Sequence, residues 1–152
     1  MSVQQSMTGT FVAHEHQART HHFEFRLEKD GLLKSWAVPK GVLEEPGVKR
    51  LAIQVEDHAL EYGDFEGTIP AGEYGAGTVR IWDRGTYDLQ EWTPHKIVFT
   101  LHGARLEGNY SLVRFKKGGE HDWLVIMRRA WTAINGPMSL VSTLQGASAQ
   151  TR

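Results

Sequence analysis

The chain contains no cysteine, which excludes disulfides, thiolate metal sites and a cysteine nucleophile together. It also lacks any apolar run near the roughly 20 residues that a bilayer-spanning helix needs, and Met1–Thr10 is too polar for a secretory signal. The expectation is therefore a cytoplasmic protein with no membrane contact. An excess of one charge is missing as well, since 17 Lys plus Arg against 18 Asp plus Glu leave a formal net charge of -1. Whole-molecule attraction does not draw in a polyanion, so any nucleic-acid contact has to come from a local patch. Helical periodicity is scarce and internal repeats are absent. What is there is 152 residues, 40% hydrophobic and 23% charged, with 16 Gly and 5 Pro. That suffices for one folded domain with a real core and leaves little room for a second.

The polar start, residues 1–10, and the Ser-, Thr-, Ala- and Gln-rich end, residues 131–152, are expected to be flexible. Between them, residues 11–130 read as short alternating segments broken by Gly, Pro and Asp, the pattern of strands and turns. In His22–Glu28, Phe23, Phe25 and Leu27 face one way while His22, Glu24, Arg26 and Glu28 face the other. Asp30-Gly31 is a strong hairpin signal leading into Leu32–Val38. The same alternation recurs in Leu51–Val55, Thr78–Trp82, Ile97–Leu101 and Tyr110–Phe115. Trp123–Met127 is apolar enough for a strand buried on both faces. With turn signals at Asp83-Arg84-Gly85 and Glu107-Gly108-Asn109, the fold class is all-β with minor helix, a compact antiparallel β-barrel of about eight short strands, whose closure hides its edges.

Eight His in a chain without Cys is the unusual entry in this composition. Four of them, with three Glu, fall within His14–Glu28, and imidazole and carboxylate donors suit divalent ions of borderline hardness. Strand parity puts His22 and Glu24 on one polar face, roughly 7 Å apart along the chain, with His16 able to add a third donor. His21 falls on the opposite face with Phe23. A cupin-like use of His14 and His16 fails, because Thr20 and His21 stand where a Glu is needed. Arg26, Lys40 and Arg50 form a basic group whose planar forks and point charge suit phosphate. His58 and Tyr62, in Val55–Gly67, offer a proton-transfer group and a hydrogen-bond donor. Gly72–Gly77, GEYGAG, lacks the Lys-Ser/Thr of a phosphate loop and reads as a turn between strands.

The segments FVAHEHQARTHHFEFRLEKDGLLKSWAVPKG, KRLAIQVEDHALEYGDFEGTIPAGEYGAGTVRIWDRGTY, FTLHGARLEGNYSLVR and WLVIMRR resemble, in order and spacing, the phosphoesterase domain of bacterial DNA ligase D, which also occurs as a stand-alone protein. The resemblance runs from Phe11 to Arg129. It implies a β-barrel enzyme that processes DNA or RNA 3′ ends with Mn²⁺ or another divalent metal such as Zn²⁺ or Co²⁺. A terminal ribonucleoside is removed to leave a 3′-phosphate, which is then hydrolysed to a 3′-OH. By motif, His16, His22 and Glu24 take the metal positions, expected to close around one cation at the mouth of the barrel. Arg26, Lys40, Arg50, His58 and Tyr62 take the phosphate-binding and catalytic positions. Where the family usually has Asp, this chain has Glu24, longer in reach by about 1.5 Å, one bond length. His14 stands outside that set, and its loss is expected to be mild. The implied partners are DNA or RNA/DNA 3′ ends and a DNA ligase acting in trans, with the chain itself a monomer. The alternative reading is a catalytically weak module that binds nucleic-acid ends or a ligase.

Overall fold

The computed structural model describes residues 7–42 and 44–130. Residues 1–6 and 131–152, most of the two ends expected to be flexible, lie outside the described residues. Among the described residues nine strands follow in order: β1 (Met7–Gln17), β2 (His21–Lys29), β3 (Leu32–Val38), β4 (Lys49–Ala59), β5 (Gly67–Ile69), β6 (Gly77–Trp92), β7 (Lys96–Gly103), β8 (Glu107–Arg114) and β9 (Asp122–Ala130). The one helical piece among the described residues is a 3₁₀ turn, Leu60–Asp64. The sheet runs β1-β2-β3-β4-β9-β8-β7-β6-β5, and β1 also pairs with β6. Eight antiparallel strands thus close into a barrel, and the short β5 lies outside the ring on β6.

The Asp30-Gly31 turn sets the first register. With both residues at positive φ, 56° and 82°, the two-residue loop forces Lys29 opposite Leu32 and Arg26 opposite Ser35, as such hairpins require. Inward positions then fill the lumen. Phe11, Ala13, Phe25, Leu27, Trp36, Val38, Tyr87, Phe99, Tyr110, Trp123 and Val125 belong to one buried cluster, with Phe99 stacked near-parallel on Tyr110 at 5.9 Å between ring centres. A barrel of this size is filled by side chains and leaves no pore.

The structure corrects several expectations. β1 starts at Met7, inside the 1–10 segment, because Met7–Gln17 pairs with β6 along its whole length, with a register shift at Ala13/His14, and Phe11–Gln17 also pairs with β2. Asp83-Arg84-Gly85 is no turn but the middle of the 16-residue β6. The Asp83 carboxylate reaches across to accept the backbone N–H groups of Ala104, Arg105 and Leu106 at 2.7–3.0 Å, so it shapes the β7–β8 turn from a neighbouring strand. Gly85 is there for clearance, since a Cβ would sit 2.1 Å from the His102 carbonyl oxygen. Glu107-Gly108-Asn109 likewise opens β8. In β9, Trp123, Val125 and Met127 are buried but Leu124 and Ile126 only partly so, hence one face of that strand looks outward.

Candidate metal and phosphate site

Side chains of adjacent strands that face each other across a sheet project from the same side. His14 pairs with Glu24, His16 with His22 and Val12 with Arg26, and Arg26 pairs with Ser35. These positions alternate with Phe11, Ala13, Phe25 and Leu27, which fill the lumen. The even-numbered set therefore lies on the outer wall of the β1-β2-β3 sheet, not at the mouth of the barrel. Much of it is nevertheless buried, His14 and Arg26 at 0% exposure and His16 at 5%, while His22 and Glu24 are partly exposed. The chain between β4 and β6 folds back over the wall and covers it. His14 Nε2 bonds the Phe65 carbonyl at 3.0 Å and His16 Nε2 the Gly75 carbonyl at 2.9 Å.

His16, His22 and Glu24 come together as the sequence predicts, with one ligand atom from each within 4.8 Å of the others. Glu24 Oε2 is 3.2 Å from His22 Nε2 and 3.8 Å from His16 Nδ1. These spacings bracket the ~3.4 Å between two donors that each sit about 2.1 Å from one tetrahedral ion. The backbone prepares both rings. His16 gives its Nε2–H to Gly75, and His22 gives its Nδ1–H to the Thr20 carbonyl at 2.9 Å. In the neutral rings this pattern leaves a lone pair on the opposite nitrogen, the outer-shell arrangement that orients metal-binding imidazoles, while a protonated His22 gives its Nε2–H to Glu24 instead. His16 Nδ1 is buried without a hydrogen-bond partner, and it faces the carboxylate. An orphaned imidazole nitrogen, a second lone pair and a carboxylate around one point fit a divalent transition metal, with His16, His22 and Glu24 as its holders.

Arg26 lies beneath this group. Its Nε donates to His14 Nδ1 at 3.2 Å and its Nη1 to Ser35 Oγ at 2.9 Å, with His58 Nδ1 3.2 Å from the same nitrogen. Nη2 pairs with Glu24 Oε1. Three of the five guanidinium N–H groups are thus given to His14, Ser35 and Glu24, with His58 beside a fourth. Ser35 and His14 are the partners that sequence reasoning missed. The signal for Ser35 lay in the hairpin arithmetic, because a two-residue turn at Asp30-Gly31 puts it opposite Arg26.

The electrostatics follow from this packing. Burial opposes charge on Glu24, but the His22 hydrogen bond and Arg26 outweigh it and bring the carboxyl down to about 2. The bond to Glu24 raises His22 above the ordinary histidine value. Burial, reinforced by the Arg26 charge, lowers His14 to about 4 and lowers His58 as well. Tyr62 sits over the same guanidinium, its ring centre 4.8 Å from Arg26 Cζ and 4.6 Å from the His58 ring, and Phe65 stacks on its far side at 5.1 Å.

Lys40 and Arg50 stand apart. Arg50 Nη1 donates to the carbonyls of Lys40 and Gly41 at 2.6 and 2.9 Å, which ties the start of β4 to the end of β3, and the Lys40 side chain is exposed. No hydrogen bond or ion pair joins either to the histidine–carboxylate group among the described residues. His21 is bonded to Glu15 at 2.8 Å and packs on Phe23, away from the three candidate ligands.

The family described as the DNA ligase D 3′-phosphoesterase domain matches residues 14–114. A "Multifunctional non-homologous end joining DNA repair protein LigD" from Mycobacterium tuberculosis is 55% identical over 109 residues, which is 69% of this chain and 14% of that protein. Its counterpart in Pseudomonas aeruginosa is 46% identical over 127 residues, 76% of this chain and 14% of the relative. For Mycolicibacterium smegmatis the figures are 44% over 117 residues, 70% and 15%. The chain therefore spans only a small part of the length of these curated relatives.

Proposed function

The chain belongs to the DNA ligase D 3′-phosphoesterase family, and from that premise we propose that it is a divalent-metal-dependent phosphoesterase that clears blocked 3′ ends. The observation that carries this reading is the buried, partnerless Nδ1 of His16 facing Glu24 and His22. His16, His22 and Glu24 hold the ion, Mn²⁺, Zn²⁺ or Co²⁺. When bound, such an ion supplies Lewis-acid polarisation of a phosphoryl oxygen and activation of the attacking water.

On a primer ending in a ribonucleoside, water oxygen attacks phosphorus and the bond from phosphorus to the terminal O5′ breaks. The O5′ leaves with its electron pair and takes up a proton, giving a free nucleoside and a 3′-phosphate. A second water then releases inorganic phosphate and leaves a 3′-OH. Arg26, enclosed by four protein partners, acts as a positioning residue that keeps Glu24 ionised and aimed. Burial and Arg26 hold His58 below the ordinary histidine range, so near neutral pH it meets the phosphate as an uncharged ring. Its Nδ1 lies between Arg26 Nη1 at 3.2 Å and the Glu56 carbonyl at 3.1 Å, so Nε2 is the ring nitrogen that meets the phosphate. Tyr62 packs His58 and Arg26 together and adds a hydroxyl to the same phosphate. Lys40 and Arg50 supply positive charge at the β3–β4 flank, where the phosphates of the preceding nucleotides run. Binding then weakens only shallowly with salt, because few phosphates are contacted.

The test is a primer ending in one ribonucleotide, or in a 3′-phosphate, incubated with metal-free protein and a series of Mn²⁺, Zn²⁺ and Co²⁺. Products are a shortened 3′-phosphate and then a 3′-OH. Retained end binding with no product under any metal would mark the chain as a binding module instead.

A further inference from the structure

Tyr74 is 94% exposed, against 57% for Met7, the next most exposed large apolar residue among those described. It sits at the tip of the Gly-rich turn between β5 and β6, the motif that the chemistry above leaves unused. This turn is held in place, with Glu73 N–H bonded to Pro70 O at 3.2 Å and Ala76 N–H to Glu73 O at 3.1 Å. Gly75 takes φ +78°, a left-handed conformation that L side chains rarely adopt. The carbonyl of that same Gly75 receives the His16 Nε2–H at 2.9 Å. Tyr74 is therefore the residue next to a fixed support of the candidate metal centre, presenting a whole phenol face to solvent.

In strand order come the 70–77 turn, His16 on β1 and His22 with Glu24 on β2, and then Lys40 with Arg50 where β3 passes to β4, Arg50 lying opposite Val125 and so on the other side of the sheet from the three candidate ligands. Lys40 and Arg50 put positive charge on one flank. On the other, Glu66 and Glu73 outnumber Arg19, which follows the Ala18 packed on Gly77, and the exposed apolar group is an aromatic ring. A base is the part of a nucleotide that a ring without positive charge can hold, through stacking that tolerates any sequence. Resting on the phosphoesterase reading, we propose that Tyr74 is a substrate-positioning residue that stacks on the base of the 3′-terminal nucleoside, the leaving group of the first cleavage, while the preceding strand runs toward Lys40 and Arg50.

The two reactions of the proposed cycle separate this role from a structural one. A primer ending in a ribonucleoside places a base over Tyr74, whereas a primer ending in a 3′-phosphate does not. Tyr74→Ala should raise KM on the first substrate about ten-fold, with kcat little changed and the second substrate hydrolysed as by wild type. Tyr74→Phe should restore the first reaction. Independently of turnover, a primer ending in 2-aminopurine riboside, added to metal-free protein, should lose fluorescence with wild type and Tyr74→Phe but not with Tyr74→Ala. Equal losses on both substrates, no loss on either, or quenching that survives Tyr74→Ala would overturn the assignment. Should wild type cleave neither primer, the phosphoesterase reading fails, and the quenching measurement alone decides whether Tyr74 stacks on a terminal base.

Discussion

The Nε of Arg26 donates to Nδ1 of His14 across 3.2 Å, in a part of the wall where both side chains are wholly buried. His14 then passes its own Nε2–H to the Phe65 carbonyl, so one ring couples the barrel wall to the segment that covers it.

Removing that ring is costly, contrary to the mild effect expected from sequence. His14→Ala leaves an arginine donor and a carbonyl without partners in a dry site, where each unsatisfied group costs about 1–3 kcal/mol. A loss of about 3 kcal/mol in urea unfolding is expected, together with reduced activity. Stability within about 0.5 kcal/mol of wild type would mean that water replaces the imidazole freely.

Glu24 neutralises Arg26 on one side and holds His22 on the other. In Glu24→Gln the buried guanidinium loses its counter-charge, which typically costs about 3–5 kcal/mol for a broken buried pair. The Glu24 side chain is 20% exposed, so the lower end of that range applies. The His22 resonance should also titrate at lower pH once the carboxylate is gone. An unchanged His22 titration would show that the bond between them contributes little.

Metal binding to the folded state alone raises stability by mass action, by about 2.7 kcal/mol at one hundred times Kd. Adding Mn²⁺, Zn²⁺ or Co²⁺ to metal-free protein should lift the unfolding midpoint of wild type and of His21→Ala. In His16→Ala and His22→Ala the lift should vanish. A midpoint shift in His22→Ala equal to that of wild type would place the ion elsewhere.

Acid should unfold the metal-free protein in two overlapping ranges. Folded His14 titrates at about 4 against an ordinary 6.5, so its contribution is complete above pH 6.5 and fades as pH falls to 4. At 1.36 kcal/mol per unit this amounts to roughly 3 kcal/mol. Glu24, brought from 4.5 to about 2, keeps its contribution above pH 4.5 and loses it from there to pH 2. Urea midpoints measured from pH 7 to pH 3 check the sum, and His14→Gln should flatten the upper range.

The fold class and the pairing of His22 with Glu24 were legible because alternation and a two-residue turn are local properties of the chain, whereas the choice of His16 came through the family motif. Parity alone put His22 and Glu24 on one face of β2, and Asp30-Gly31 defined its hairpin with β3. Which side of the sheet faces the lumen was not legible. Phe25 and Arg26 are both fully buried, since the covering segment encloses the polar face that a simpler barrel leaves wet. For the same reason β1 escaped notice, as Val12 and His14 are as buried as Phe11 and Ala13 and the alternation that marks a half-exposed strand is blurred. Asp83 was misread because its role is played on three backbone amides about 21 to 23 residues away, a distance that no local pattern reports.

Val79 of β6 pairs with Gly67 on one side and His16 on the other, and further along the same strand runs between β1 and β7. The roof over the candidate site and the seam of the barrel therefore hang from a single rod. Local breathing of that roof is not an independent motion, and deuterium uptake in β5 and in the β1 end of the seam should rise together as one cooperative unit.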